Sequence, residues 1–309
     1  MRDAFVNALM ALARADKRIW LLTGDLGYSV LEKFRDEFPD RYINAGVAEQ
    51  NMTGIACGLA MSGKIPFTYS IANFPTLRCL EQIRNDVAYH RANVKIVSVG
   101  GGYAYGAHGY THHGVEDYGI LSLLPNMKVI APADPVETTL ATELIAGYDG
   151  PCYLRLGRAK EPILHKSEKF SMKMGEPLKV RDGRDSVLLA TGGGLSVALA
   201  AADRLALDKH EAEVWSVPFL VPFANDFVLD LIKQGRGIVT VEEHGPGGLG
   251  TKVSEVVATS GHPVRFRIVR LAHQVANVSG DRDFLREKQG LSPAVVYEAA
   301  MSVRAGSYR

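Results

Sequence analysis

What this chain has little of bounds it first. It has no excess charge of one sign: 35 Lys and Arg stand against 34 Asp and Glu, for a formal net charge of +1. No long-range field therefore exists to hold nucleic acid or a membrane surface. Cysteine is scarce. Its three copies, Cys57, Cys79 and Cys152, lie in apolar stretches without CxxC spacing, and an odd number argues against a disulfide framework. A reducing, cytoplasmic setting is the expectation. Long hydrophobic runs are missing too. The apolar start at residues 4–13 carries Asn7 and runs into Arg14, Asp16 and Lys17, too short to span a bilayer and without a small-residue cleavage signal. It reads as a first amphipathic helix. At 309 residues the chain exceeds the size at which one core stops growing, so two domains of roughly 130 to 170 residues are expected.

Short β-rich runs alternate with longer helical patterns. Residues 19–23, 65–69, 94–99, 128–131 and 152–156 read as strands, and residues 48–61, 76–90 and 135–146 as helices, on their 2.0 and 3.6 periods. The polar stretch 157–184 holds Lys160, Glu161, Lys166, Glu168 and Lys169 with little periodicity and reads as a linker. A second series follows, with strands at 186–190, 213–217, 237–241 and 265–269 and helices at 196–207, near 226–233 and at 250–259. The expected fold is α/β: two doubly wound domains with mostly parallel sheets. The expected boundaries are 1–160, a linker at 161–184, and 185–309.

The first informative segment, Gly46-Val47-Ala48-Glu49-Gln50-Asn51-Met52, closes a polar loop and opens a helix. It places a carboxylate among the free backbone N–H groups of a first turn. Spacing alone cannot separate a catalytic Glu49 from ordinary compensation of the helix dipole. Gly54 and Gly58, four apart, permit close approach of another backbone, between subunits or within the core.

Ala48-Glu49-Gln50 on such a helix resembles the segment of the transketolase and deoxyxylulose-phosphate synthase family that carries its cofactor-activating glutamate. Tyr69-Ser70-Ile71-Ala72-Asn73-Phe74, with Arg78 and Glu81-Gln82-Ile83 beyond it, is similar to the family's strand-to-helix segment, where an aromatic ring stacks on the aminopyrimidine of thiamine diphosphate. Phe74 is the candidate ring, with Tyr69 and Arg78 beside it. Gly106 to Gly114 resembles the Thr-His loop, and Val129-Ile130-Ala131-Pro132-Ala133-Asp134 the strand and turn after it. Glu242-Glu243-His244 before Gly247-Gly248-Leu249-Gly250 is similar to the family's C-terminal domain. The resemblance implies the pyrimidine-binding and C-terminal part of a split transketolase. In it Glu49 hydrogen-bonds the aminopyrimidine and His112 faces the enamine or sugar hydroxyls. His113 is a second candidate for that role, and Arg158 would contact an anionic end of the substrate. To donate its proton, such a carboxyl relies on desolvation to raise its pKa.

Two departures bear on substrate. His108 stands where transketolases have an Asp four residues before the loop histidine, and Phe5, near Arg2, stands where they have a serine facing the sugar phosphate. An imidazole in place of an acceptor-only carboxylate changes which hydroxyl pattern is welcomed. The family binds the cofactor's diphosphate through Mg²⁺ held by Gly-Asp-Gly and an Asn about 25 to 30 residues on, oxygen ligands of the kind hard cations prefer. No Gly-Asp-Gly occurs here; Gly24-Asp25-Leu26-Gly27 resembles the pyrimidine-side segment, with Asp25 and Leu26 beside the ring. The resemblance thus implies an N-terminal diphosphate-binding subunit as partner, a heterotetramer with two copies of each, sugar or sugar-phosphate substrates, and no activity for this chain alone.

Other readings of the same residues stay open. His108, His112, His113, Glu116 and Asp117 hold zinc-ligand types at short spacing, though Gly106, Gly109 and Gly114 break any helix that would pair them. Gly245-Pro246-Gly247-Gly248-Leu249-Gly250 satisfies G-x-G-x-x-G, but Arg265, Arg267 and Arg270 stand where an acidic residue is wanted. Gly100-Gly101-Gly102 and Gly192-Gly193-Gly194 read as turns. A 2-oxoacid dehydrogenase β-subunit or a deoxyxylulose-type synthase shares fold, cofactor and glutamate, and a non-catalytic scaffolding subunit would keep the architecture alone.

Overall fold

Runs rich in Val, Ile and Leu, buried on both faces, can pair only where helices cover them, and this chain builds two such sheets. The computed structural model describes residues 1–165 and 171–304; Lys166, Glu168 and Lys169 of the expected linker lie outside the described residues.

The first unit runs α1 (Arg2–Ala15), β1 (Ile19–Thr23), α2 (Glu32–Glu37), β2 (Tyr42–Asn44), α3 (Glu49–Met61), β3 (Ile65–Ile71), α4 (Leu80–Gln82), β4 (Lys95–Val99), α5 (Asp117–Leu121), β5 (Lys128–Ile130), α6 (Pro135–Gly147) and β6 (Cys152–Leu156). The second runs β7 (Leu178–Arg181), β8 (Ser186–Thr191), α7 (Gly194–Leu207), β9 (Ala212–Ser216), β10 (Phe219–Val221), α8 (Asn225–Lys233), β11 (Gly237–Glu242), α9 (Leu249–Thr259), β12 (Phe266–Val269), α10 (Arg282–Lys288) and α11 (Pro293–Ser302). The α1 helix is amphipathic as expected: Phe5, Leu9 and Ala13, four apart on one face, are buried, as a 3.6-residue repeat requires.

The first sheet has the order β10-β5-β6-β4-β3-β1-β2 and the second β12-β11-β8-β9-β7. All pairings are parallel except β10 with β5 and β7 with β9. Both exceptions fall where sequence periodicity is silent. Leu178–Arg181, within the stretch expected as linker, is an edge strand, and Phe219–Val221 crosses from the second half to close the first sheet. A three-residue strand has too few positions to show alternation. One buried cluster accordingly contains Tyr118 and Val129 together with Val187, Leu220 and Leu249.

The helix expected over residues 76–90 is not continuous. A 3₁₀ turn at Leu77–Cys79 leads into α4 and then a π-helical stretch at Ile83–Ala88. Such interruptions mark helices whose geometry is set by tertiary contacts rather than by local pattern.

Candidate functional site

Parallel strands deliver every following segment to one edge, the carboxyl edge, which is where open α/β sheets bind ligands. Here β6, β4, β3, β1 and β2 are consecutive neighbours. The segments after them are 157–158, 100–114, 72–78, 24–27 and 45–49. Residues more than a hundred positions apart therefore share one rim.

Glu49 opens α3 and is buried, its carboxylate 1% exposed. Ser70, near the end of β3, donates through Oγ to Glu49 Oε1 at 3.1 Å, and Arg78 donates through Nη1 to Oε2 at 2.6 Å. Gly24 leaves the carboxyl its space: a Cβ there would lie 3.0 Å from Oε1. Asp25, with φ of 55°, is exposed and tied to Asn44, whose Nδ2 donates to Asp25 Oδ1 at 2.9 Å, while Leu26 accepts Thr23 Oγ1 through its carbonyl. The 24–26 segment thus borders the carboxylate, with the Asp25 side chain turned to solvent.

From Glu49 the side chains continue in an unbroken row. The Arg78 guanidinium lies 4.5 Å over the Phe74 ring. Phe74 meets His112 edge-on at 5.2 Å. His112 lies 5.1 Å from His108 and 6.2 Å from Tyr105, and Arg158 sits 4.6 Å over Tyr105. Burial, then the neighbouring His108 and His113, lowers the His112 pKa below its ordinary 6.5, so the imidazole is held neutral. Burial pushes the Tyr105 phenol up while Arg158 and Arg2 pull it down, which places both guanidinium groups within electrostatic reach of that ring. One end of the row therefore presents a buried carboxyl beside an aromatic face, and the other presents cations.

Two expected site residues lie elsewhere. His113 is 1% exposed, points into the core against Tyr103 at 4.8 Å, and shares its Nε2 with the Gly106 carbonyl at 3.0 Å. A 3₁₀ turn at Tyr110–His112 ends between the two adjacent histidines, so His112 faces the rim and His113 braces the loop from behind. Tyr69 is also in the core, stacked on Phe5 at 5.9 Å; strand alternation turns it away from the face that Ser70 shares with Glu49. Phe5 is itself fully buried, so it supports the rim from below and lines no channel.

Ser70, Tyr105 and Glu161 were missed by sequence reasoning. Glu161 Oε1 accepts the Arg158 backbone N–H at 2.5 Å, fixing the loop that carries the arginine. Ser70 had a readable signal, since it falls one position from Tyr69 on the strand that feeds Phe74. The G-x-G-x-x-G run carries no open anion cradle. The Leu249 and Gly250 N–H groups at the start of α9 donate to the Glu242 carboxylate at 2.7 and 2.8 Å, so the chain fills that N-terminus itself. Among the described residues no group of three or more His, Cys, Asp or Glu is arranged to hold a metal ion, and no helix is long and apolar enough to cross a membrane.

Residues 1–162 match the transketolase pyrimidine-binding domain, and residues 175–296 the transketolase C-terminal domain. The chain belongs to the transketolase family. One of the two subunits of an apulose-4-phosphate transketolase from Phocaeicola vulgatus is 37% identical over 85% of this chain and 85% of its own length. The 6-deoxy-6-sulfo-D-fructose transketolase subunit of a Clostridium species is 37% identical over 98% and 94%. A 1-deoxy-D-xylulose-5-phosphate synthase from Syntrophotalea carbinolica is 36% identical over 84% of this chain and 41% of its own length. Among solved structures, a split-gene transketolase described as an inactive beta4 tetramer superposes with a TM-score of 0.88 at 33% identity, over 98% of this chain and 97% of that one. This is a split-type transketolase-family subunit with the family's two-domain α/β fold, and the family is thiamine diphosphate-dependent.

Proposed function

We propose that this chain, joined to an N-terminal diphosphate-binding subunit, transfers a two-carbon ketol unit from a ketose or ketose-phosphate donor to an aldehyde acceptor. The observation that carries this reading is the row Glu49, Arg78, Phe74, His112, His108, Tyr105 and Arg158, which joins a buried carboxyl to a cationic end along one rim. The residues present fit the pyrimidine half of thiamine diphosphate: a carboxyl 1% exposed, a partly open aromatic face at Phe74, and Gly24 leaving room between them. When bound, the cofactor supplies a carbanion-forming carbon and an electron sink for cleaving the bond next to a ketone.

The chain's own groups do the rest. Glu49 donates a hydrogen bond to the pyrimidine ring nitrogen, with Ser70 fixing its orientation. Phe74 holds the pyrimidine face. His112, neutral, offers one donor and one acceptor to substrate hydroxyls, and His108 selects among hydroxyl patterns beside it. Arg158, with Arg2 near Tyr105, binds the anionic end of a phosphorylated or otherwise acidic sugar. Mg²⁺ and the diphosphate are assigned to the partner, in a heterotetramer of two copies of each chain, working in the cytoplasm. The apulose-4-phosphate and 6-deoxy-6-sulfo-D-fructose relatives are themselves named as transketolase subunits, which supports the split arrangement.

A turnover assay of this chain with its partner, thiamine diphosphate and Mg²⁺, compared with the chain alone, tests the reading. Ketose-dependent transfer only in the mixture supports it. Turnover of a 2-oxoacid such as pyruvate, with every ketose silent, transfers the chain to the deoxyxylulose-phosphate synthase branch, which the 36% identity to one such enzyme keeps in view.

A further inference from the structure

Arg78 makes both contacts the pyrimidine half of the cofactor needs. Its guanidinium is planar and lies 4.5 Å over the Phe74 ring, and its Nη1 reaches Glu49 Oε2 at 2.6 Å. The hydrogen bond runs the wrong way for catalysis. Toward an arginine, which carries donors only, the carboxyl must accept; toward a pyrimidine ring nitrogen, it must donate. The side chain is also placed to leave. Arg78 is 42% exposed where Glu49 is 1%, so it reaches inward from the rim. It sits on the 3₁₀ turn Leu77–Cys79, ahead of one short α turn and a π-helical stretch, an irregular helix that can re-form its turns at small cost.

We propose that Arg78 is a displaceable plug that occupies the pyrimidine position in the free chain, and that it withdraws from Glu49 and Phe74 when the cofactor binds. This rests on the reading of Glu49 and Phe74 given above, and it reverses the expectation that Arg78 holds the cofactor. A buried carboxylate left without a partner is costly, and the plug removes that cost until the partner and cofactor arrive. Withdrawal then does two things at once: it clears the aromatic face, and it frees Glu49 from its acceptor role.

The test uses the full-length chain and thiamine as the probe, with the dissociation constant read by ligand-observed NMR and folding checked by circular dichroism. Arg78→Gln should bind thiamine about tenfold more tightly than the unaltered chain, a difference of about 1.4 kcal/mol. A side chain with only a structural role would not raise affinity when removed. Arg78→Lys keeps the charge for Glu49 but loses the plane over Phe74, so it should tighten binding by a smaller factor, about threefold by the same relation. It decides the matter if Arg78→Gln does not fold. Affinity in the folded variant that is equal to or weaker than that of the unaltered chain, or no saturable binding, overturns the plug. Phe74→Ala in the Arg78→Gln background separates the two failures. If it leaves affinity unchanged, the pyrimidine reading falls and the plug with it. If it weakens binding while Arg78→Gln has not tightened it, only the plug falls.

Discussion

Glu243 Oε1, on the second unit, accepts the backbone N–H of Tyr103, on the first, at 3.0 Å. The same carboxylate is held by Arg282 Nη2 at 2.7 Å and Arg286 Nη2 at 2.6 Å. Arg155 adds a bond from Nη2 to the Glu243 carbonyl at 3.0 Å and another from Nε to Asp117 Oδ2 at 2.9 Å. Gly102 makes the approach possible, since a Cβ there would collide with the Glu243 carboxyl carbon. A fully buried polar network thus anchors the start of the loop that carries His108 and His112.

Glu243→Gln keeps the shape but removes the charge that both arginines require. Breaking one partner of a buried network leaves the others uncompensated, so a loss of about 3 kcal/mol is expected in urea denaturation. An unchanged midpoint would show that the network contributes nothing at this boundary.

Gly24→Ala tests the space beside the carboxyl. The new Cβ would stand 3.0 Å from Glu49 Oε1 and 3.2 Å from its Cδ, so the carboxyl must move by a few tenths of an ångström. Misplacing a reacting group costs catalysis steeply, and a fall of about tenfold in kcat of the assembled enzyme is expected with the fold intact. Full kcat would mean that the Glu49 carboxyl position does not matter at that precision.

The strand and helix alternation was legible because β1, β3, β4 and β6 are continuous apolar runs separated by helical periods. What the sequence hid was relational. Arg78 could be placed near Phe74 from the segment it belongs to, but its pairing with Glu49, 29 positions away, depends on β3 and α3 packing. His112 and His113 are chemically identical, and only the local turn decides which one faces outward. Phe219–Val221 could not be assigned to the first sheet because its partner is Val129–Ile130, far back in the chain.

Acid should weaken this protein through His244. Burial, the largest influence, lowers its pKa to about 4 from the ordinary 6.5, so the folded chain keeps it neutral while the unfolded chain takes up a proton. The unfolded state then binds more protons, and stability falls as pH drops from 6.5 toward 4, by on the order of 3 kcal/mol. Glu243 adds to this at lower pH. Burial pushes its carboxyl up, but Arg282 and Arg286 override that and hold it well below the usual range, so its contribution is lost only as strong acid protonates it. Urea midpoints of the unaltered chain and His244→Gln between pH 7 and pH 4 check the first part: the variant should show the flatter dependence, and parallel curves would contradict it.

The central claim is that Glu49 is the group that activates the cofactor. The direct measurement is two-carbon transfer by Glu49→Gln, assembled with the partner subunit, thiamine diphosphate and Mg²⁺, beside the unaltered complex. An amide of the same shape cannot give up a proton as a carboxyl does, so turnover should fall by about a thousandfold or more while assembly and cofactor binding persist. Turnover equal to that of the unaltered complex would contradict the account.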